Sequence, residues 1–242
     1  MQKQTQNAKR FLNAYNQIDL ALRVQGDMKR SISYTEAVRR AARTNSIVAK
    51  YEDTLIDYGR LRNAIVHSSN EDMVIAEPYN DVVDEYERIA KLICTPPLAI
   101  DTICVKDVQC VNFDVKLSDV LAYMHKSGFS NLPVYKDGML VGVANSGRIA
   151  KLIGKKIYEK RSINEYLETQ IGEVVQNNAP EGFYTIVDKN VTLDKVMNLF
   201  KENRKLLIVL LTKTGSLLEA PLGIISIGDI IEINKVLDNF VV

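Results

Sequence analysis

Apolar residues in the first third of the chain recur every three or four positions, the spacing that places them on one face of an α-helix. Phe11, Tyr15, Ile18 and Leu22 mark a first helix. Ile47, Tyr51, Leu55, Tyr58, Leu61 and Ile65 mark a long one predicted from about Ser46 to His67, with Asn45 or Ser46 able to cap its start and Ser68-Ser69-Asn70 to end it. A shorter helix is expected near Thr35 to Arg43, and Val82, Tyr86, Ile89 and Ile93 define another after Pro78. The pattern predicts an all-α bundle of four helices over residues 1–96.

Thr95-Pro96-Pro97 ends that pattern, because proline supplies no backbone N–H and biases the residue before it to extended geometry. Beyond it, short β-rich runs alternate with helical stretches, and the series repeats. The stretch from Leu117 to Met124 parallels that from Leu193 to Phe200, and the run from Asn131 to Val143 parallels Leu207 onward to Gly223-Ile224. The first copy has the tight-turn pair Asp137-Gly138, whereas the second has a longer hairpin around Lys213 to Ser216. The expected fold class is α+β: a helical domain, then repeated β-α-β-β-α units over residues 98–160 and 161–242.

A balance of 31 Lys+Arg against 30 Asp+Glu excludes a globally basic nucleic-acid binder, but the charges are unevenly spread. Residues 1–70 hold twelve basic and six acidic side chains, residues 71–96 hold two and seven, and the remainder is balanced. The N-terminal stretch could face phosphate, or it could be balanced in space by the acidic segment that follows. No apolar run approaches the roughly 18–20 residues that span a bilayer, and the first ten residues lack the apolar core of a secretory signal. No membrane association and a cytoplasmic location are the expectations. Cys94, Cys104 and Cys110 are odd in number and lack C-x-x-C spacing, so neither a disulfide framework nor a metal site is expected.

Three features of the repeat carry a family resemblance: Ser130-Asn131-Leu132-Pro133-Val134 before the first turn, Leu140-Val141-Gly142-Val143 after it, and Leu222-Gly223-Ile224-Ile225-Ser226-Ile227-Gly228-Asp229 in the second copy. On these, residues 98–242 resemble a tandem pair of cystathionine-β-synthase (CBS) domains. The resemblance implies a pseudo-symmetric module whose clefts bind an adenosine-containing regulatory ligand, such as AMP, ATP or a cyclic dinucleotide. At a strand-to-helix junction the Ser226 hydroxyl and nearby backbone N–H groups can meet phosphate, while the Asp229 carboxylate can accept hydrogen bonds from ribose hydroxyls. By the same resemblance, Thr185 and Ile186 supply backbone contacts to a base edge. Alternatively, Ser226 merely caps the last helix and Asp229 sits at its positive end.

The first copy departs from this pattern. Aligning Gly142 with Gly223 places Asn145 opposite Ser226 and Arg148 opposite Asp229. A guanidinium cannot accept hydrogen bonds from ribose, so one adenosine site is expected rather than two. Arg148 could bind phosphate with Lys151, Lys155, Lys156, Lys160 and Arg161, or these could form a solvated basic stretch.

Only two histidines occur. His125 reads as a surface or cap residue, whereas His67 closes the string Arg62-Asn63-Ala64-Ile65-Val66-His67 at the end of the long helix. That string resembles the motif of HEPN domains (higher eukaryotes and prokaryotes nucleotide-binding), a family with metal-independent ribonucleases, toxin components and inactive relatives. At about 100° per residue Asn63 and His67 share a face, while Arg62 is offset from His67 by roughly 140°. One helix does not focus both on one atom, and the resemblance implies a site built by two protomers of a homodimer. There His67 would remove the proton of an RNA 2′-OH or supply one to the leaving 5′-oxygen, Arg62 would hold the phosphate and stabilise its growing charge, and Asn63 would orient substrate or the histidine. No cofactor is implied for that catalysis. Asn63 could instead simply bond to Tyr58 or to a neighbouring chain end.

Two functions follow. The first is an RNA-cleaving enzyme gated by an adenine nucleotide; the second is a noncatalytic nucleotide sensor whose helical domain mediates dimerisation or partner docking.

Overall fold

The computed structural model describes residues 6–67, 77–178 and 182–238. Helices α1 (Gln6–Gln25), α2 (Tyr34–Ala41), α3 (Ser46–Lys50), α4 (Glu52–His67) and α5 (Asn80–Cys94) are followed by the short α6 (Ala99–Thr102). Then come β1 (Val111–Asn112), α7 (Leu117–Ser127), β2 (Asn131–Lys136), β3 (Met139–Asn145) and α8 (Ser146–Tyr158). Helices α9 (Ile163–Leu167) and α10 (Ile171–Asn178) lead to β4 (Tyr184–Asp188), α11 (Leu193–Glu202), β5 (Ile208–Thr212) and β6 (Gly223–Ser226). A 3₁₀ turn over Ile227–Asp229 runs into α12 (Ile230–Asp238). The protein is mixed α and β, with helices preceding the strands.

Contacts divide the chain into two compact units. The first comprises Met1–Leu98, Thr192–Glu202 and Ile230–Val242; the second comprises Ala99–Val191 and Asn203–Asp229. Helices α11 and α12 therefore belong with the N-terminal helices, while the strands that flank them in sequence belong elsewhere. Asn198 Nδ2 donates to the Thr44 carbonyl at 2.7 Å and Ser46 Oγ to the Asp194 carbonyl at 3.3 Å. Lys50 pairs with Asp238, whose carbonyl also accepts from Arg88 Nη1 at 3.2 Å.

The long helix expected from Ser46 to His67 is two helices. Tyr51, at φ −106° and ψ 17°, leaves helical geometry between α3 and α4. The break accompanies burial of Ile47 and Val48 and lets the Tyr51 ring meet the Arg88 guanidinium, 5.4 Å from its centroid, with Arg88 Nη2 donating to the tyrosine hydroxyl. Asn45 does cap this segment, accepting from the N–H groups of Ile47 and Val48. Ser33 caps α2 by accepting from Glu36 N, and the acidic residue at that position also suits the helix's positive end. The Ser68-Ser69-Asn70 stop lies outside the described residues.

Aromatic rings fill the core of this unit. Phe11 lies 4.7 Å from Tyr86 and 5.6 Å from Tyr58 by ring centroids, and the buried Tyr86 and Tyr34 share a hydroxyl hydrogen bond of 3.2 Å. At its surface Arg10 of α1 forks onto Asp84 and Glu87 of α5, at 2.6 and 2.7 Å. The basic and acidic stretches thus meet directly at this point.

The second unit contains two three-stranded sheets of the same topology. In each, the first strand is parallel to the middle one and the middle one antiparallel to the third, in the orders β1-β2-β3 and β4-β5-β6. Asp137 and Gly138 both take positive φ, 50° and 78°, closing the β2–β3 hairpin as the Asp-Gly pair predicts. The longer second hairpin reaches the first sheet: Leu140 N donates to the Leu217 carbonyl at 2.9 Å and Tyr135 Oη to the Glu219 carbonyl at 3.0 Å. Leu140, Val143, Phe183, Ile208 and Leu210 form a shared apolar cluster.

Candidate functional site

The cleft that contains Ser226 and Asp229 begins with a strand junction. Ile225 is buried in β6, and the next residues turn into the 3₁₀ segment with Ile227 N donating to the Leu207 carbonyl at 2.9 Å. Asp229 reaches back across this turn. Its Oδ2 accepts from Ser226 N at 2.7 Å and from Ser226 Oγ at 2.9 Å, so the carboxylate and hydroxyl are fixed together at the head of α12. Among the described residues, Asp229 Oδ1 has no hydrogen-bond partner.

The opposite wall comes from a segment that sequence patterning did not single out. Val105 exchanges backbone hydrogen bonds with Ile224 at 3.1 and 3.2 Å, laying the chain before β1 beside β6. Gly223 makes room for that wall, because a Cβ there would overlap Cys104 Sγ. Burial pushes the Cys104 thiol up to about 11, so thiolate is scarce near neutral pH. Val105, Asp107, Val108 and Gln109 thereby line a cleft of about 150 Å³ with Phe129, Ser130, Asn131, Ile224, Ser226 and Asp229. Its volume is below the roughly 300–1,000 Å³ of pockets that enclose a drug-sized molecule, so it fits part of such a ligand. Two side-chain relays order the rim: Tyr123 Oη donates to Gln109 Oε1, and Gln109 Nε2 donates to Asp107 Oδ1 at 3.0 Å.

Ser130 and Asn131 belong to the motif before the first turn, and Asn131 is oriented by Asn145 Nδ2, which donates to its Oδ1 at 2.7 Å. Thr185 and Ile186 do not line this cleft. They lie on β4, paired with Val209 and Leu210 of β5, and β5 separates them from β6. The Val105–Gln109 wall was hidden because it depends on a bridge across about half the chain, and local periodicity carries no signal for such pairing.

The equivalent place in the first copy is closed. Asn145 caps α8 by accepting from Arg148 N at 3.0 Å, and the Arg148 guanidinium lies over the Phe183 ring, 4.7 Å from its centroid. Only about 20 Å³ remains beside Arg148, Asn145 and Phe183, room for about one water. Desolvation there lowers the Arg148 pKa.

In the helical unit, α4 carries Arg62 and Asn63 in its later turns and ends at His67, whose side chain lies outside the described residues. Arg62 Nη1 donates to Asn63 Oδ1 at 3.2 Å, and the guanidinium lies over the Tyr15 ring, 5.2 Å from its centroid. Arg62 Nε is buried and has no partner among the described residues. Tyr58 donates to Glu85 at 2.5 Å, leaving Asn63 to Arg62. Among the described residues no group of His, Cys, Asp and Glu is arranged to hold a metal, and no helix is long and apolar enough to cross a membrane.

A family model of the CBS domain matches residues 100–155, from α6 through most of α8, and this stretch is a CBS domain. Comparison with curated proteins finds no match. Solved structures similar to the chain include the CBS-domain containing protein ATU1752 from Agrobacterium tumefaciens, 22% identical, covering 53% of this chain and 85% of that one with a TM-score of 0.41. The CBS domain pair of protein MJ0100, in complex with 5′-methylthioadenosine and S-adenosyl-L-methionine, is 18% identical over 58% of this chain and 97% of that one, with a TM-score of 0.42. CBSX2 in complex with AMP is 17% identical, covering 59% and 99%, with a TM-score of 0.44.

Proposed function

We propose that this protein is a sensor of an adenosine-containing small molecule, bound in the cleft beside Ser226 and Asp229, that regulates the helical unit. The observation that carries this reading is the convergence of the Ser226–Asp229 pair with Ser130, Asn131 and apolar side chains in one cleft, most of whose lining lies within the stretch that the CBS-domain model matches. Asp229 Oδ1 would accept a ribose hydroxyl, and Phe129, Val108 and Ile224 would cover the base. The 3₁₀ turn that bears Asp229 continues without interruption into α12, whose last residue holds Lys50 and Arg88. A ligand that prefers one arrangement of that turn would bias α12, and only such a differential preference can regulate. Calorimetry with adenosine, AMP and ATP tests the reading: binding weakened by Asp229→Ala supports it, and no binding by any of them rejects it.

For the output, a second reading rests on α4. Arg62 and Asn63 are joined, one helical turn before His67, and Arg62 Nε is a buried donor with no partner among the described residues. This supports a HEPN-like, metal-independent endoribonuclease assembled from two protomers, with Arg62 holding phosphate and His67 transferring protons. Cleavage of single-stranded RNA in EDTA, lost in both Arg62→Ala and His67→Ala while the circular dichroism is retained, is the expected result. Absence of cleavage by the wild-type protein would leave the helical unit as a dimerisation or docking module, and light scattering would then report whether two copies associate.

A further inference from the structure

The charge of the cleft limits the chemistry of its ligand more narrowly than adenosine recognition alone, an argument that rests on the reading proposed above. Two carboxylates, Asp107 and Asp229, line it, and among the described residues no Lys, Arg or His lines it. Lys106 lies between two lining residues in sequence but is itself outside the lining, with its Nζ 4.0 Å from Asp101 Oδ1. A further source of positive charge is the head of α12, whose backbone N–H groups would ordinarily attract a phosphate. A carboxylate already stands at that head: Asp229, whose Oδ2 accepts from Ser226 N and Ser226 Oγ. Asp107 is kept facing the same space by the Gln109 amide, which Tyr123 holds in turn.

A ribose whose hydroxyls meet Asp229 carries its 5′ substituent only a few bonds away. A 5′-phosphate would therefore enter a small space shared with two carboxylates and with no cation among the described lining residues, and like charges at such close range repel. A cationic substituent would gain what the phosphate loses. We infer that the cleft selects adenosine derivatives whose 5′ group is uncharged or positively charged, and discriminates against nucleotides, including ATP and cyclic dinucleotides.

Calorimetry on the full chain at low salt, with adenosine, 5′-methylthioadenosine, S-adenosylmethionine, AMP and ATP, separates the outcomes. The expected order places the sulfonium compound tightest, the two neutral nucleosides next, and AMP and ATP about tenfold or more weaker than adenosine. Asp107→Asn, which retains an acceptor for Gln109, should narrow the adenosine-to-AMP ratio several-fold, as should added salt. AMP or ATP binding more tightly than adenosine and S-adenosylmethionine would overturn the charge selection while leaving adenosine sensing intact. Failure of all five to bind would overturn the sensing reading, and the selection with it.

Discussion

Asp229 uses a single carboxylate oxygen to hold both the backbone N–H and the hydroxyl of Ser226, at 2.7 and 2.9 Å. Oδ2 thereby secures the turn that leads into α12, and under the function proposed above Oδ1 is the oxygen that would accept a ribose hydroxyl.

This double use separates two variants. Asp229→Ala should destabilise the protein by about 1 kcal/mol through loss of the cap, and should weaken adenosine binding about tenfold or more, since hydrogen bonds to a charged group contribute about 1.5–3 kcal/mol. Ser226→Ala leaves the Ser226 N–H on Asp229 and should cost less on both counts. Urea unfolding and calorimetry on the two variants check the ordering.

The close approach of Gly223 to Cys104 makes a coupled pair. Gly223→Ala alone should cost about 1–3 kcal/mol by overpacking the wall of the cleft. Combining it with Cys104→Ala should recover much of that loss, a coupling that a double-mutant cycle measures directly. Gly154 of α8 has nothing within 4 Å of a built Cβ, and Gly154→Ala should instead stabilise by about 0.5–1 kcal/mol.

Arg148 over Phe183 occupies the place in the first copy that corresponds to the candidate cleft in the second. Adenosine should accordingly bind with a stoichiometry of one per chain in calorimetry; a second equivalent site would contradict the packing. Arg148→Ala should lower stability by about 0.5–2 kcal/mol through loss of the stacked cation, with the affinity at the Asp229 cleft unchanged.

The long hairpin should respond to acid. Glu219 accepts from Thr214 N at 2.7 Å and from Thr214 Oγ1 at 3.0 Å, and the backbone bond from Thr214 is the leading cause that holds its carboxyl below the ordinary value of 4.5. A depressed folded-state pKa means that the ordering of this loop is fully present above pH 4.5 and is lost as pH falls through the folded value. Amide exchange at Thr214 should rise across that acidic window, and Glu219→Gln should flatten the dependence.

Much of the helical unit was legible in the residues. Phe11, Ile18 and Leu22 are buried on one face of α1, as their spacing required, and Asn45 caps where it was expected. The helix differs from its pattern at Tyr51: the spacing from Ile47 to Ile65 is continuous, but the chain breaks there and Arg88, from a helix beginning at Asn80, engages the ring. Sequence spacing reports which face of a helix is apolar, and it is blind to a partner that arrives from another element.

The candidate site divides in the same way. Ser226 and Asp229, three residues apart at a strand-to-helix junction, form a local unit, so their type and spacing alone determined that they could meet. The Val105–Gln109 wall, the Gln109–Asp107 relay, and the lack of a cation among the described lining residues were decided only by tertiary structure, because they follow from Val105 pairing with Ile224 across the fold. Likewise, the sequence showed that Arg148 could not replace Asp229 as an acceptor, while only packing against Phe183 determined where its guanidinium goes. Local hydrogen bonding is encoded by neighbours in the chain; the charge and volume of a cleft are properties of surfaces that neighbours in the chain do not make.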